Sequence, residues 1–273
     1  MEMMCSRHGG LSVAARNGYA GTASAVSEID SADGGLHMAV SFKSVLKPTM
    51  FAVVALSLGT SASAASLTEN FDGGVPAGWV KVNNSDPLGS TDWFQGNPLV
   101  FDSHQGAANS YVAANFNAGA DVANISDWLI LPTQVFNNGD KLSFFSRTAD
   151  QSFWPDKLEV RFSAVGGNDV GHTSDSVGTF TTLLLTINPG QDLFEYPEQW
   201  TQFGATINGL SGATSGALAF RYVVEDGGPN GDYSNFIGID TLQVSAVPEP
   251  SSYLMLGLGL GLIGVLRQRR ARG

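Results

Sequence analysis

Between residues 66 and 246 the apolar side chains recur at every second position in short runs, a period that lets a strand but not a helix bury one face. The clearest run is KLEVRFSA, in which Leu158, Val160 and Phe162 face one way and Lys157, Glu159 and Arg161 the other. In ALAFRYVVE, Leu218, Phe220 and Tyr222 share a face. KLSFFSRT, TFTTLLLTI and NFIGIDTLQV read as further strands, and SYVAANF and DWLILP as shorter ones. Gly, Asn, Asp and Pro separate them. Parallel strands need crossover helices, and no helical period lies between these runs. The expected architecture is therefore all-β, an antiparallel sandwich. Long polar loops such as GGNDVGHTSDSVG suit the ends of such a sandwich. No internal repeat is visible, which excludes a solenoid or propeller.

Charge is segregated along the chain of 273 residues, whose formal charge is −11. Ser66 to Val247 carries 20 acidic and 6 basic side chains, a net of −14. A surface that acidic repels nucleic acid and anionic lipid; it favours solubility or divalent cations. The only cysteine is Cys5. It precedes the strand-rich region, which can hold neither a disulfide nor a thiol nucleophile.

The two ends read as addresses. Near the front, Lys43 and Lys47 precede an apolar run from Met50 to Leu58 and a small-x-small exit at Ala62-Ser63-Ala64. That order makes residues 38–65 a secretory signal peptide, and the run is too short to span a bilayer. Residues 1–37 are rich in Gly, Ala and Ser, and Met38 is the expected true start. At the other end, residues 247–273 place Pro248, Glu249 and Pro250 before an apolar stretch from about Tyr253 to Leu266, followed by Arg267, Arg269, Arg270 and Arg272. A helix of about 16 residues covers about 24 Å, short of a hydrocarbon core of about 30 Å. Gly257, Gly259, Gly261 and Gly264 weaken it further. The arginines would stay cytoplasmic and leave the acidic domain outside.

Tripeptide, glycine-rich apolar helix and arginine cluster, in that order, closely resemble the PEP-CTERM sorting signal of Gram-negative bacteria. The resemblance covers about 25 residues. It implies recognition of the tail by an exosortase, a membrane-embedded cysteine transpeptidase, and cleavage near Pro248, Glu249 and Pro250. It further implies tethering to the inner membrane by the C-terminal helix before processing. The product then goes to the cell surface, the outer envelope or the medium. An ordinary single-span transmembrane anchor is the other reading of the same residues.

A second resemblance covers residues 66–246. The order of ENFDGGVPAGWVKVNN, SYVAANF, SDWLILP, KLSFFSRT, KLEVRFSA and FIGIDTLQV is similar to the choice-of-anchor J group, which is related to cleaved adhesin domains and to MAM-like jelly rolls. It implies a jelly-roll β-sandwich whose first and last strands lie side by side. It also implies a structural Ca²⁺ held by Glu69, Asp72 and Asp240, since calcium takes six to eight oxygen ligands. Without a cation, Asp240 would have to cap a turn or accept backbone amides, because a buried carboxylate needs a partner.

Other chemistry is sparse. Asp226, Asn230, Asp232 and Asn235 are oxygen-rich but lack the EF-hand spacing, and EDGGPNGDYSN reads as a hairpin turn. Trp79 and Trp128 sit in apolar strand contexts and belong to the core. Trp93 and Trp154 sit in loop-like stretches and are the tryptophans to test for sugar contact, with Phe153 extending an exposed apolar patch. Glu195 and Glu198 flank Pro197 in a loop, and His104 and His172 have no partner motif, so no catalytic residue is assigned. The function expected is that of an exported, non-enzymatic envelope or matrix protein, adhesin-like or carbohydrate-binding. Its expected partners are the exosortase and extracellular polysaccharide or a surface protein. A matrix protein without a ligand, or a polysaccharide-active enzyme, are the alternatives.

Overall fold

The computed structural model describes residues 66–247 and 250–272. The signal peptide expected at 38–65, the residues 1–37 expected to precede the true start, Pro248 and Glu249 lie outside the described residues. The strands are β1 (Leu67–Glu69), β2 (Val80–Asn83), β3 (Asp86–Leu88), β4 (Phe94–Gln95), β5 (Val112–Asn115), β6 (Gly119–Ile130), β7 (Gln134–Phe136), β8 (Lys141–Thr148), β9 (Leu158–Ser163), β10 (Thr182–Ile187), β11 (Thr201–Thr206), β12 (Thr214–Gly227) and β13 (Phe236–Ser245). One sheet runs β11-β8-β13-β5-β4, with β1 added on β13. The other runs β10-β9-β12-β6-β2, with β3 on β6 and β7 on β12. Every pairing is antiparallel. Strands β5 and β6, β8 and β9, β10 and β11, and β12 and β13 each pass from one sheet to the other, the habit of a jelly roll.

The alternation sets which face is buried. Leu158, Val160 and Phe162 of β9 and Leu218, Phe220 and Tyr222 of β12 meet Val112, Phe144, Ile237 and Ile239 of the opposite sheet in one core. Burying a large apolar side chain contributes about 1.5–3 kcal/mol, so this layer dominates the stability. Trp128 is fully buried and Trp79 packs edge-on against Phe71, as their strand contexts predict.

The outer faces are not left to solvent. GGNDVGHTSDSVG was expected at an end of the sandwich; instead Val170 and Phe180, in and beside it, pack with Trp128, Ile130, Ala217 and Ala219 over the outer side of β6 and β12. The small alanines on β12 leave the room the loop fills. Glu159 and Arg161, expected on a solvated face, are therefore largely covered: Glu159 Oε2 accepts from Arg161 Nε at 2.6 Å and Arg221 Nη1 at 3.2 Å. Burial raises the Glu159 pKa, but the two guanidinium groups outweigh it and hold the carboxyl below its ordinary value. On the other sheet Phe101, Tyr111, Ala113 and Phe236 form a matching outer layer with Phe94 and Trp200. Gly238 of β13 is required there, because a Cβ would lie 2.9 Å from Phe101 and Trp200.

EDGGPNGDYSN turns tightly, with Gly231 N donating to Gly228 O, but it joins β12 to β13 across the two sheets and is not the hairpin expected. Helix α1 (Pro250–Arg270) has 21 residues, more than the apolar stretch alone, because Arg267, Arg269 and Arg270 form its last turn, where cations oppose the helix dipole favourably. Leu256, Leu258, Leu260 and Leu262 are each more than half exposed. Among the described residues no helix is long and apolar enough to cross a membrane.

Candidate functional site

Three inter-sheet connections converge at one end of the sandwich, residues 149–157, 188–200 and 228–235. A buried carboxylate ties them together. Asp156 Oδ2 accepts from Thr148 Oγ1 at 2.6 Å; its Oδ1 accepts from Tyr222 OH at 2.6 Å and Asn235 N at 2.7 Å. Its backbone oxygen accepts from Asn188 Nδ2, and Ser234 N donates to Pro155 O. Burial pushes the Asp156 pKa up, and the hydrogen bonds oppose the rise. Tyr222 is raised well above its ordinary value by the same burial and by the neighbouring carboxylate.

On this rigid base sit three exposed aromatic rings. Phe153 is 64% exposed, Trp154 51% and Phe194 60%. Phe153 and Phe194 meet edge to face with centroids 5.7 Å apart. Phe194 has φ of +65°, a conformation that costs a bulky residue of order 1–3 kcal/mol and recurs where function requires it. Beside the rings lies a shallow cleft of only about 10 Å³, room for about one water, whose lining includes Trp154, Phe194, Asp192 and Glu198. Aromatic faces beside hydrogen-bonding carboxylates can stack on a sugar ring and accept from its hydroxyls. Sequence reasoning found Trp154 and Phe153 but missed Phe194, Asp192 and Asp156. Two apolar residues, Leu193 and Phe194, in an otherwise polar loop were the available signal.

Trp93 requires a correction. It is fully buried, packs in the main core and donates from Nε1 to Asp127 O at 3.1 Å, so it cannot reach a ligand. Its neighbours Ser90, Thr91 and Asp92 have loop character, but the short β4 turns the indole inward.

The acidic residues expected around calcium are brought to one corner. Strand β1 pairs with β13, with Glu69 opposite Leu242, two positions from Asp240. Glu69 Oε1 accepts from Phe71 N at 2.7 Å. Asp72 is exposed, and its Oδ1 lies 2.8 Å from where a Cβ on Gly106 would stand. Asp240 is buried; its Oδ2 accepts from Gln105 N at 2.9 Å and its Oδ1 from Thr241 N at 2.5 Å. Phe71 and Thr241 both have positive φ, +53° and +49°, so each acidic motif contains a strained residue. His104 stacks on Phe145 at 3.7 Å and its Nδ1 lies 2.9 Å from Thr241 Oγ1. The corner offers oxygen donors, but no three acidic or imidazole side chains among the described residues form a preassembled metal cluster.

Likenesses to known proteins bear on the two halves separately. The PEP-CTERM protein-sorting motif matches residues 246–270. No curated protein matches the chain. Among solved structures, the K1 cleaved adhesin domain of Lys-gingipain (Kgp) from Porphyromonas gingivalis is similar at 21% identity and a TM-score of 0.50, over 68% of this chain and 100% of that one. The K3 cleaved adhesin domain of the same protein is similar at 19% identity and a TM-score of 0.46, over 67% of this chain and 100% of that one. A xylan-binding domain from Paenibacillus barcinonensis is similar at 12% identity and 0.39, over 69% and 99%. Only the first of these bears weight, and it speaks for the fold and not for a ligand. The protein thus carries a PEP-CTERM sorting motif, which implies export and processing, after a β-sandwich similar in fold to a gingipain cleaved adhesin domain.

Proposed function

We propose that the protein is an exported, non-catalytic binding module that offers the Phe153, Trp154 and Phe194 face to an extracellular glycan. The sorting motif, the acidic surface and the cleaved-adhesin fold support the setting. Before processing by an exosortase the tail holds the protein at the inner membrane; afterwards the domain belongs to the surface or matrix. The observation that carries the reading is the exposed aromatic trio on loops pinned by Asp156, with Phe194 kept in a strained backbone conformation. Strain of this kind persists only where the surrounding structure holds it, and it clusters at ligand clamps.

Full-length protein on a glycan array is expected to give discrete hits that Trp154→Ala abolishes while the melting temperature stays within about 1–2 °C, since the ring is half exposed. Phe194→Gly is expected to weaken the same hits yet to stabilise the fold by about 1 kcal/mol through relief of the positive φ. Hits that survive both changes contradict the proposed face, and an array without hits favours a matrix protein that has no ligand.

The corner of Glu69, Asp72 and Asp240 is the proposed place for a structural Ca²⁺, with backbone carbonyls and water completing the shell. The two strained residues and the burial of Asp240 support it. Calcium is expected to raise the melting temperature by several degrees, by mass action on the folded state, and EGTA to reverse the rise. Asp72→Asn, at an exposed position, should abolish the response without unfolding the domain. A melt indifferent to calcium and EGTA means that the amides of Gln105 and Thr241 suffice for Asp240.

A further inference from the structure

We infer that the glycan taken by the aromatic face is an amine-bearing one, a chain of 2-amino-2-deoxy sugars with free, protonated amino groups; this rests on the proposed binding face. The charges around the rings decide it. Asp192 and Glu198 line the cleft and Glu195 lies next to Phe194. None of these three carboxylates takes part in an ion pair among the described residues. No lysine or arginine lines the cleft. The two cations on neighbouring elements are engaged elsewhere: Arg147 sits 4.4 Å over the Phe101 ring and pairs with Asp150, and Lys157 lies 4.0 Å from Glu225.

An aromatic face among unpaired carboxylates discriminates by charge. A protonated amine placed over Trp154 or Phe194 gains a cation–π attraction. Within reach of Glu198 or Asp192 it gains a charge-assisted hydrogen bond in addition. An N-acetylated sugar keeps the stacking and loses both charge terms. A uronic acid polymer keeps the stacking and is repelled. Buried inside the sandwich, a carboxylate trio could serve structure; here Asp192 and Glu195 are exposed and Glu198 is half-buried, open to a ligand from solvent.

The test is titration calorimetry of the full chain in neutral detergent with a glucosamine hexamer, its N-acetylated counterpart, a galacturonate hexamer and hexalysine, below the pKa of the sugar amine. The glucosamine hexamer is expected to bind at least about tenfold more tightly than the acetylated one, which corresponds to 1.4 kcal/mol. Trp154→Ala should abolish the binding. The double change Asp192→Asn with Glu198→Gln should narrow the gap between the two hexamers to the part that the rings supply, and high salt should narrow it as well. Trp154-dependent binding in which the acetylated or the galacturonate hexamer equals or exceeds the amine overturns the inference and leaves the binding face standing. Hexalysine binding with the same Trp154 dependence and affinity overturns it too, in favour of a basic peptide. No Trp154-dependent binding to any of the four removes both the face and the inference.

Discussion

Asp156→Ala is expected to cost about 4 kcal/mol of stability and to abolish ligand binding together with it. The change removes the acceptor for Thr148 Oγ1 and Tyr222 OH, both buried, and for the part-buried Asn235 N, and each buried donor left without a partner costs about 1–3 kcal/mol. The donors come from β8, β12 and Asn235 at the end of the 228–235 connection, so the loss is shared by both sheets, while the bond from Asn188 Nδ2 to the Asp156 backbone oxygen is kept. Urea unfolding measures it directly. Tyr222→Phe removes one donor and leaves the other two bonds intact, so its cost should stay near 1 kcal/mol. It should also leave the aromatic face in place. A loss below about 1 kcal/mol for Asp156→Ala would show that the loops are held by their own packing and not by this carboxylate.

The opposite sign is expected at Asp127. This residue lies on the inward face of β6 among Ile125 and Leu129, is fully buried, and neither of its carboxylate oxygens has a hydrogen-bond partner. Burial raises its pKa well above the ordinary value and the nearby Asp92 adds to the rise; Lys81 and the Trp128 amide, which is near the carboxyl but not in hydrogen-bonding geometry, oppose it. Lys81 cannot neutralise it fully, because its Nζ already donates to Asp92 Oδ1 at 2.7 Å and to Trp93 O at 2.9 Å. Asp127 therefore binds its proton more tightly folded than unfolded. Its contribution to stability is greatest below the unfolded carboxyl pKa of about 4 and is lost as pH rises through the folded value. Asp127→Asn keeps the volume and removes the titration. We expect the variant to gain about 1–3 kcal/mol over the parent at neutral pH and little or nothing near pH 4. Denaturant melts of both proteins across that range give the difference directly, and other titrating groups such as Asp156 cancel in it. A difference independent of pH would mean that Asp127 is satisfied in solution.

What could be read from the chain follows from how far apart the deciding residues lie. Strands β9 and β12 were legible because their inward residues alternate within eight or nine consecutive positions. Only the end of β6 was legible, as the short apolar run in DWLILP; Ile125 to Ile130 is buried on both faces, so no alternation marked how far the strand extends towards Gly119. Strands β3, β4 and β7 span two or three residues, too few to display any period, and most of β11 is exposed. The sorting tail was fully legible because its three parts are contiguous.

The site behaves differently. Trp154 was found because exposure of a tryptophan beside Pro155 and Phe153 is a local matter. Trp93 was misplaced because the wall that buries it comes from β6, more than thirty positions away. Asp156 could not be recognised as a hub, since Tyr222 and Asn235 lie 66 and 79 residues from it. The covering of the outer faces by Phe101 and Phe180 was missed for the same reason: loops of polar composition carried single aromatic anchors whose partners are set by the tertiary fold.

The central claim is that residues 250–270 are an address that is removed and that the sandwich is what the cell delivers. Intact-mass and peptide mass spectrometry of the protein released from the cell surface of its own organism tests this most directly. The account predicts a product that contains Trp154 and the β13 peptide and ends near Pro248, with no peptide from the glycine-rich helix or from Arg267 to Arg272. A surface product that still carries those arginines, or a full-length chain confined to the cytosol, would contradict it.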